Sequence, residues 1–152
     1  MTAFSYVDEN LAAIRARIDA ARERAGGHKV TLLAAVKYTD AAHVNYLHRA
    51  LGVNDIGENR VQELTQKLAE NAYEGAPVHF IGHLQTNKVR QVVGNVDLIQ
   101  SVDSLRLLAA IEKEAAKLGI VQDILLEINI GEEESKSGFS PADIIPLLEN
   151  IG

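Results

Sequence analysis

The chain has 152 residues, is 47% hydrophobic and 24% charged, and carries a formal net charge of -6 with no cysteine. This is the composition of an ordinary soluble globular chain, long enough for a single domain over residues 1–152 with its own core. Net negative charge without a Lys/Arg cluster excludes nucleic acid and anionic membranes as main partners, since both require clustered cations. The lack of thiols excludes disulfides and thiolate metal sites and fits the cytoplasm.

The N-terminal "MTAFSYVDENL" has no basic segment followed by an apolar one, so no export signal is expected, and no apolar run reaches the ~18 residues of a membrane helix. Val7, Leu11, Ile14, Ile18, Ala21 and Ala25 recur at helical spacing. Ser5 and Asp8 are spaced as a capping box, and Gly26-Gly27 stops the helix. The run "VTLLAAV", residues 30–36, has strand length and precedes a helical pattern of Val44, Leu47 and Leu51 that ends at Gly52. The alternation repeats with "VNDIG" before Val61, Leu64 and Leu68, and with "VHFIG" before Val89, Val92 and Val93. It repeats again with "VDLIQS" before a helix from Leu105 to Leu118 closed by Gly119. A fifth strand within "DILLEINI" leads through "GEEESKSGF" to a helix that Ser140 caps, with Pro141 at its first position.

Regular β-α alternation with short connections gives a parallel sheet covered by helices, an α/β class. An open doubly wound sheet is complete at five strands, whereas a (β/α)8 barrel takes roughly 250 residues, so length alone favours the open sheet. The first βα turn, "KYTDAA", has no glycine fingerprint or P-loop, so a nucleotide phosphate cradle is not expected.

In either architecture working residues gather at the C-terminal ends of the strands. Those ends carry Lys37, Glu58, Asn59, His83, Gln85, Asn87, Lys88, Ser101, Asp103, Asn129, Ser135 and Lys136. Asn59 with Gln62 is spaced as a helix cap, and Asp103 precedes a helix it would cap. His79 alternates with Ile81, as a hydrogen-bonded interior residue would. No histidine or carboxylate pair has metal-ligand spacing and no nucleophile elbow occurs, so metal and serine-hydrolase chemistry are not expected. Lys88 and Arg90 fall early in a helix, where positive charge opposes the dipole and suits a nearby anion or a solvated pair. Lys37 ends an apolar run. If it shares an interior face with Leu33 and Ala35, desolvation favours the neutral amine that attacks carbonyls; a solvated strand end is the alternative.

The segments "AAVK", "DIGENRVQE", "VHFIGHLQTNKVR", "LIQSVDS" and "EINIGEEESKSGFSP" resemble, in order and spacing, those of the pyridoxal-phosphate homeostasis protein family. The resemblance runs from about Leu11 to the end of the chain. It implies a (β/α)8 TIM-type barrel of the alanine racemase N-terminal-domain type, of which about the first five βα units are present here, and so overrules the open sheet. It also implies that pyridoxal 5′-phosphate (PLP) is held as a Schiff base on Lys37, with Asn59 and His79 beside the coenzyme. Val36 stands where the family often has serine, and "YTD" lacks a proline common there. The family's phosphate-holding serine and threonine loops, and the arginine facing the pyridine nitrogen, belong to later segments.

The function implied is a non-catalytic cytoplasmic protein of PLP homeostasis, with PLP and PLP-requiring apo-enzymes as partners and no amino-acid turnover. The alternative is a PLP-dependent enzyme of the racemase type. That activity needs a second acid/base, which in the racemases comes from another domain and subunit. An incomplete barrel also implies self-association.

Overall fold

The computed structural model describes residues 4–131, 133 and 136–151, without the side chains of Asn150 and Ile151. Helix α1 (Ser5–Arg24) precedes five βα steps: β1 (Leu33–Ala35) and α2 (Ala41–Arg49), β2 (Asp55–Glu58) and α3 (Val61–Ala69), then β3 (Val78–Phe80) and a 3-10 helix (Thr86–Gln91). They continue with β4 (Leu98–Val102) and α4 (Leu105–Leu118), and β5 (Asp123–Leu126) and α5 (Pro141–Ile151). Among the described residues no helix is long and apolar enough to cross a membrane.

All strand pairings are parallel and the sheet order is β1-β2-β3-β4-β5. Each strand lies beside its predecessor, so among the described residues there is no switch point and the arrangement is not doubly wound. Right-handed crossovers that always step in one direction put their helices on one face. Burial follows this rule. Ile56, Glu58, Val78, Phe80 and Ile99 are buried on the helix side, whereas Ala35 and Leu125 of the other face are exposed and Leu33, Asp55, His79, Leu98 and Gln100 are half-buried. The core joins the buried strand residues to Val44 of α2, Val61 and Leu64 of α3, Val89 of the 3-10 helix and Leu107 and Ile111 of α4. Helix α1 flanks β1 and α2, where Arg15 donates to Leu51 O at 2.7 Å and Tyr46 OH donates to Asp8 at 2.7 Å.

Several local expectations are corrected. Residues 30–32 are not strand, because β2 begins only at Asp55, opposite Leu33, and gives the earlier residues no partner. Ser5 lies inside α1 behind the N-cap Phe4, with no side-chain cap bond, since a tertiary partner, Tyr46, occupies Asp8. Asn59 is one residue too early to cap α3; the N-cap is Arg60, again without a side-chain bond. Asp103 does not cap α4. Ser104 does, accepting from Leu107 N at 3.4 Å, and Asp103 accepts from the Ser104 hydroxyl at 3.0 Å. The element holding Lys88 and Arg90 is six residues of 3-10 helix, too short for a dipole argument, although Val89, Val92 and Val93 are buried as their spacing implied.

Candidate functional site

Beyond β1 the chain turns sharply. Val36 N donates to Gly57 O at 3.0 Å, extending the ladder by one bond, and Thr39 N donates back to Val36 O at 3.1 Å. Between these bonds Tyr38 has φ 60, the left-handed region that a non-glycine residue enters only when neighbours hold it there. Asp40 then caps α2, accepting from His43 N at 2.9 Å and standing 2.7 Å from His43 Nδ1. The backbone hydrogen bond from His43, followed by the ring contact, holds the Asp40 carboxyl below its usual range.

Lys37 sits at the apex of this turn and is exposed, the solvated strand end of the two readings its pattern allowed. Its Nζ lies 5.1 Å from the centroid of the Tyr38 ring, and Arg60 approaches the same ring at 4.8 Å. Lys37 pairs with no carboxylate among the described residues.

Asn59 follows directly on β2, whose Gly57 pairs in register with Ala35, the last residue of β1, so Asn59 and Lys37 leave neighbouring strands at the same end of the sheet. Its carboxamide has no hydrogen-bond partner among the described residues. The next loop crosses it closely: a Cβ at Gly82 would lie 2.1 Å from Asn59 O, so only glycine fits there. Below, Leu33 and Ile81 close over Gly57, whose added Cβ would meet them at 2.5 and 2.9 Å. This makes an apolar floor below the strand ends that Lys37 and Asn59 follow. His79 is paired in register with Gly57 and so lies one pleat deeper, about 7 Å along the strand direction. Its Nδ1 stands 2.9 Å from Gln100 Nε2 and its Nε2 3.7 Å from Asp55. Lys37 and Asn59 thus lie just past the ends of adjoining strands, and His79 belongs to a separate polar group within β3, with Gln100 and Asp55.

Beneath this surface, on the helix side, lies a group that sequence reasoning missed as a unit. Glu58 is fully buried, and its Oε1 accepts from Lys67 Nζ at 2.7 Å and from Tyr73 OH at 2.9 Å. Lys67 also donates to Val36 O at 2.7 Å and approaches Glu63 at 3.5 Å, and Glu63 accepts from Tyr38 N at 2.8 Å. Burial raises the Glu58 carboxyl above its ordinary range, with Lys67 and Tyr73 opposing, and burial likewise pushes the Tyr73 phenol up. A signal existed: Lys67 lies three residues after Leu64 on the apolar stripe of α3, where a cation requires a buried partner.

The remaining strand-end candidates are dispersed. Ser101 donates to Gly82 O at 2.6 Å, a loop anchor. His83 Nδ1 is 3.3 Å from Asp103, Lys136 pairs with Glu133 at 2.8 Å, and the Asn129 amide donates to Glu133 O at 2.9 Å. Ser135 lies outside the described residues. Among those residues no group of three or more His, Asp or Glu is arranged to hold a metal ion.

The family model described as alanine racemase, N-terminal domain, matches residues 10–152. The chain belongs to that family. Within the alanine racemase N-terminal domain family it is 41% identical over 142 residues to the "Pyridoxal phosphate homeostasis protein" of Aquifex aeolicus, covering 93% of this chain and 62% of that protein. A crystal structure of a Bifidobacterium adolescentis protein superposes with a TM-score of 0.83 at 40% identity, covering 94% of this chain and 62% of the other. PipY of Synechococcus elongatus with PLP bound superposes with a TM-score of 0.70 at 31% identity, covering 88% and 62%. The chain therefore spans about three-fifths of the length of these relatives.

Proposed function

We propose that this chain is the N-terminal part of a (β/α)8 barrel domain that holds PLP on Lys37 and serves PLP homeostasis without turning over amino acids. One observation carries the reading: Lys37 stands exposed just past the end of β1, its amine paired with no carboxylate among the described residues, and Asn59, just past the end of the adjoining β2, has an unpaired carboxamide. The family's relatives add weight, one being named for PLP homeostasis and another having been solved with PLP bound.

The donor set fits the coenzyme. When bound, PLP supplies an aldehyde that captures amines and a ring that withdraws electrons. Lys37 would hold the coenzyme through its amine, the group that reacts with an aldehyde. Asn59 offers a donor and an acceptor beside it, and Leu33 and Ile81 keep water from the floor over Gly57. His79, held by Gln100, backs the site from below. Racemisation needs a proton donor and acceptor on the two faces of the coenzyme. Here His79 is engaged one pleat lower, so we assign no turnover. The sequential sheet, with helices on one side only, supports the barrel.

Borohydride reduction of the PLP-loaded chain followed by peptide mapping is expected to put the label on Lys37 and to find none there in Lys37→Ala, which should stay folded because the side chain is exposed. Recovery of the label mainly on Lys88 or Lys136 would refute the assignment. Incubation of the loaded protein with L-alanine in heavy water is expected to give no α-proton exchange above that of free PLP. Sustained exchange above that level would favour the racemase-type enzyme.

A further inference from the structure

The buried and half-buried charges between β2 and α3 converge on the backbone that flanks Lys37. The carbonyl before it, Val36 O, accepts from Lys67 Nζ at 2.7 Å, and the amide after it, Tyr38 N, donates to Glu63 Oε2 at 2.8 Å. Glu63 and Lys67 are four residues apart on α3 and so lie on one side of that helix. Glu58 fixes Lys67 from β2 at 2.7 Å, and Tyr73 fixes Glu58 at 2.9 Å.

Stability alone does not account for this arrangement. A buried ion pair is often replaceable by apolar residues of similar volume without loss, because desolvation offsets the attraction. What apolar residues would not supply is the second donor to Val36 O, beside Thr39 N at 3.1 Å, and an acceptor for Tyr38 N. The second bond lies beside a left-handed non-glycine residue, a conformation that persists only where the surroundings over-determine it.

We propose that Glu63 and Lys67, with Glu58 behind them, form a clamp that fixes the backbone on both sides of Lys37 and so sets the direction in which its amine emerges. They are positioning residues that touch the peptide groups, while Lys37 does the chemistry. The inference deepens the assignment of PLP to Lys37 and rests on it.

The test compares the parent, Glu63→Ala, Glu63→Gln and the double variant Glu58→Leu/Lys67→Met, which removes both buried charges together and so leaves neither unpaired. Each is made with Lys37 present and in a Lys37→Ala background. The rate of covalent capture of PLP is read by absorbance. Non-covalent PLP affinity is read by equilibrium dialysis in the Lys37→Ala background, and exchange of the Tyr38 amide by hydrogen-exchange mass spectrometry. In Glu63→Ala and the double variant, capture should slow by about tenfold to a hundredfold, the range that misplacing a reacting group produces. Non-covalent affinity should stay within about twofold of the parent, well under the tenfold that each 1.4 kcal/mol represents. Tyr38 exchange should accelerate in Glu63→Ala, and Glu63→Gln, which keeps an acceptor, should restore capture. Capture at the parental rate in Glu63→Ala and the double variant, or an equal loss of capture and non-covalent affinity, overturns the clamp. If the parent itself captures no PLP on Lys37, the proposed function fails and the clamp's purpose fails with it. If the parent captures normally and the variants match it, only the clamp is lost.

Discussion

Glu58 is fully buried, and its Oε2 has no hydrogen-bond partner among the described residues, while Oε1 receives both Lys67 and Tyr73. Burial outweighs these partners and raises the carboxyl above its ordinary value of 4.5. The folded chain therefore binds this proton more tightly than the unfolded chain. Stability from this group is fully present below the ordinary value and is lost as pH rises through the raised one, by about 1.4 kcal/mol for each unit of the shift. Glu58→Gln has no such titration. Its thermal stability minus that of the parent should increase from about pH 4.5 towards neutrality, whatever constant offset the lost charge near Lys67 imposes. Melting temperatures of the two proteins across that range give the answer, and a flat or falling difference would show that Glu58 stays ionised throughout. The positions of Lys37 and Glu58 were unequally legible. Lys37 is marked by a charge at the end of an apolar run, whereas Glu58 looked like one more strand-end carboxylate because its partners, Lys67 and Tyr73, are distant in sequence and meet it only in the fold.

At the level of elements, the order of strands and helices could be read directly, because each apolar run that ends at a polar or glycine stop is long enough to span one buried layer. All five strands overlap the runs "VTLLAAV", "VNDIG", "VHFIG", "VDLIQS" and "DILLEINI". Their lengths were not legible: β1 is cut to three residues by where β2 begins, a matter of register between segments. Caps divide along similar lines. Gly119 closes α4 in the left-handed conformation its position implied. Between Asp103 and Ser104, adjacent and both good caps, sequence cannot tell which backbone turns, and Ser5 lost its role to the contact between Asp8 and Tyr46. The candidate site inherits this division. The placing of Lys37 and Asn59 at the ends of successive strands follows from the order of apolar runs, while the pairing of His79 with Gln100 and Asp55 depends on cross-strand register, which only the sheet supplies.

At the scale of the molecule, the sheet has helices on one face, and the exposed large apolar residues concentrate around its last strand. Val121 is 93% exposed, Ile130 83%, Ile145 68% and Leu125 50%. Leu125 lies on the uncovered face of β5, beyond which no further strand pairs among the described residues. An apolar margin of this kind beside an unpaired ladder is a template for another chain, since pairing would satisfy backbone groups and remove apolar surface from water together. We expect the 152-residue chain to self-associate, with a mean mass in light scattering that rises with concentration. A charge on the uncovered face of β5, Leu125→Lys, should shift that rise to higher concentration while leaving the fold intact, because the side chain is already half in water. If the association ran through the surface of α1 or α2 instead, Leu125→Lys would match the parent. A mass that stays monomeric across the accessible range would mean that the margin is closed by the chain's own residues.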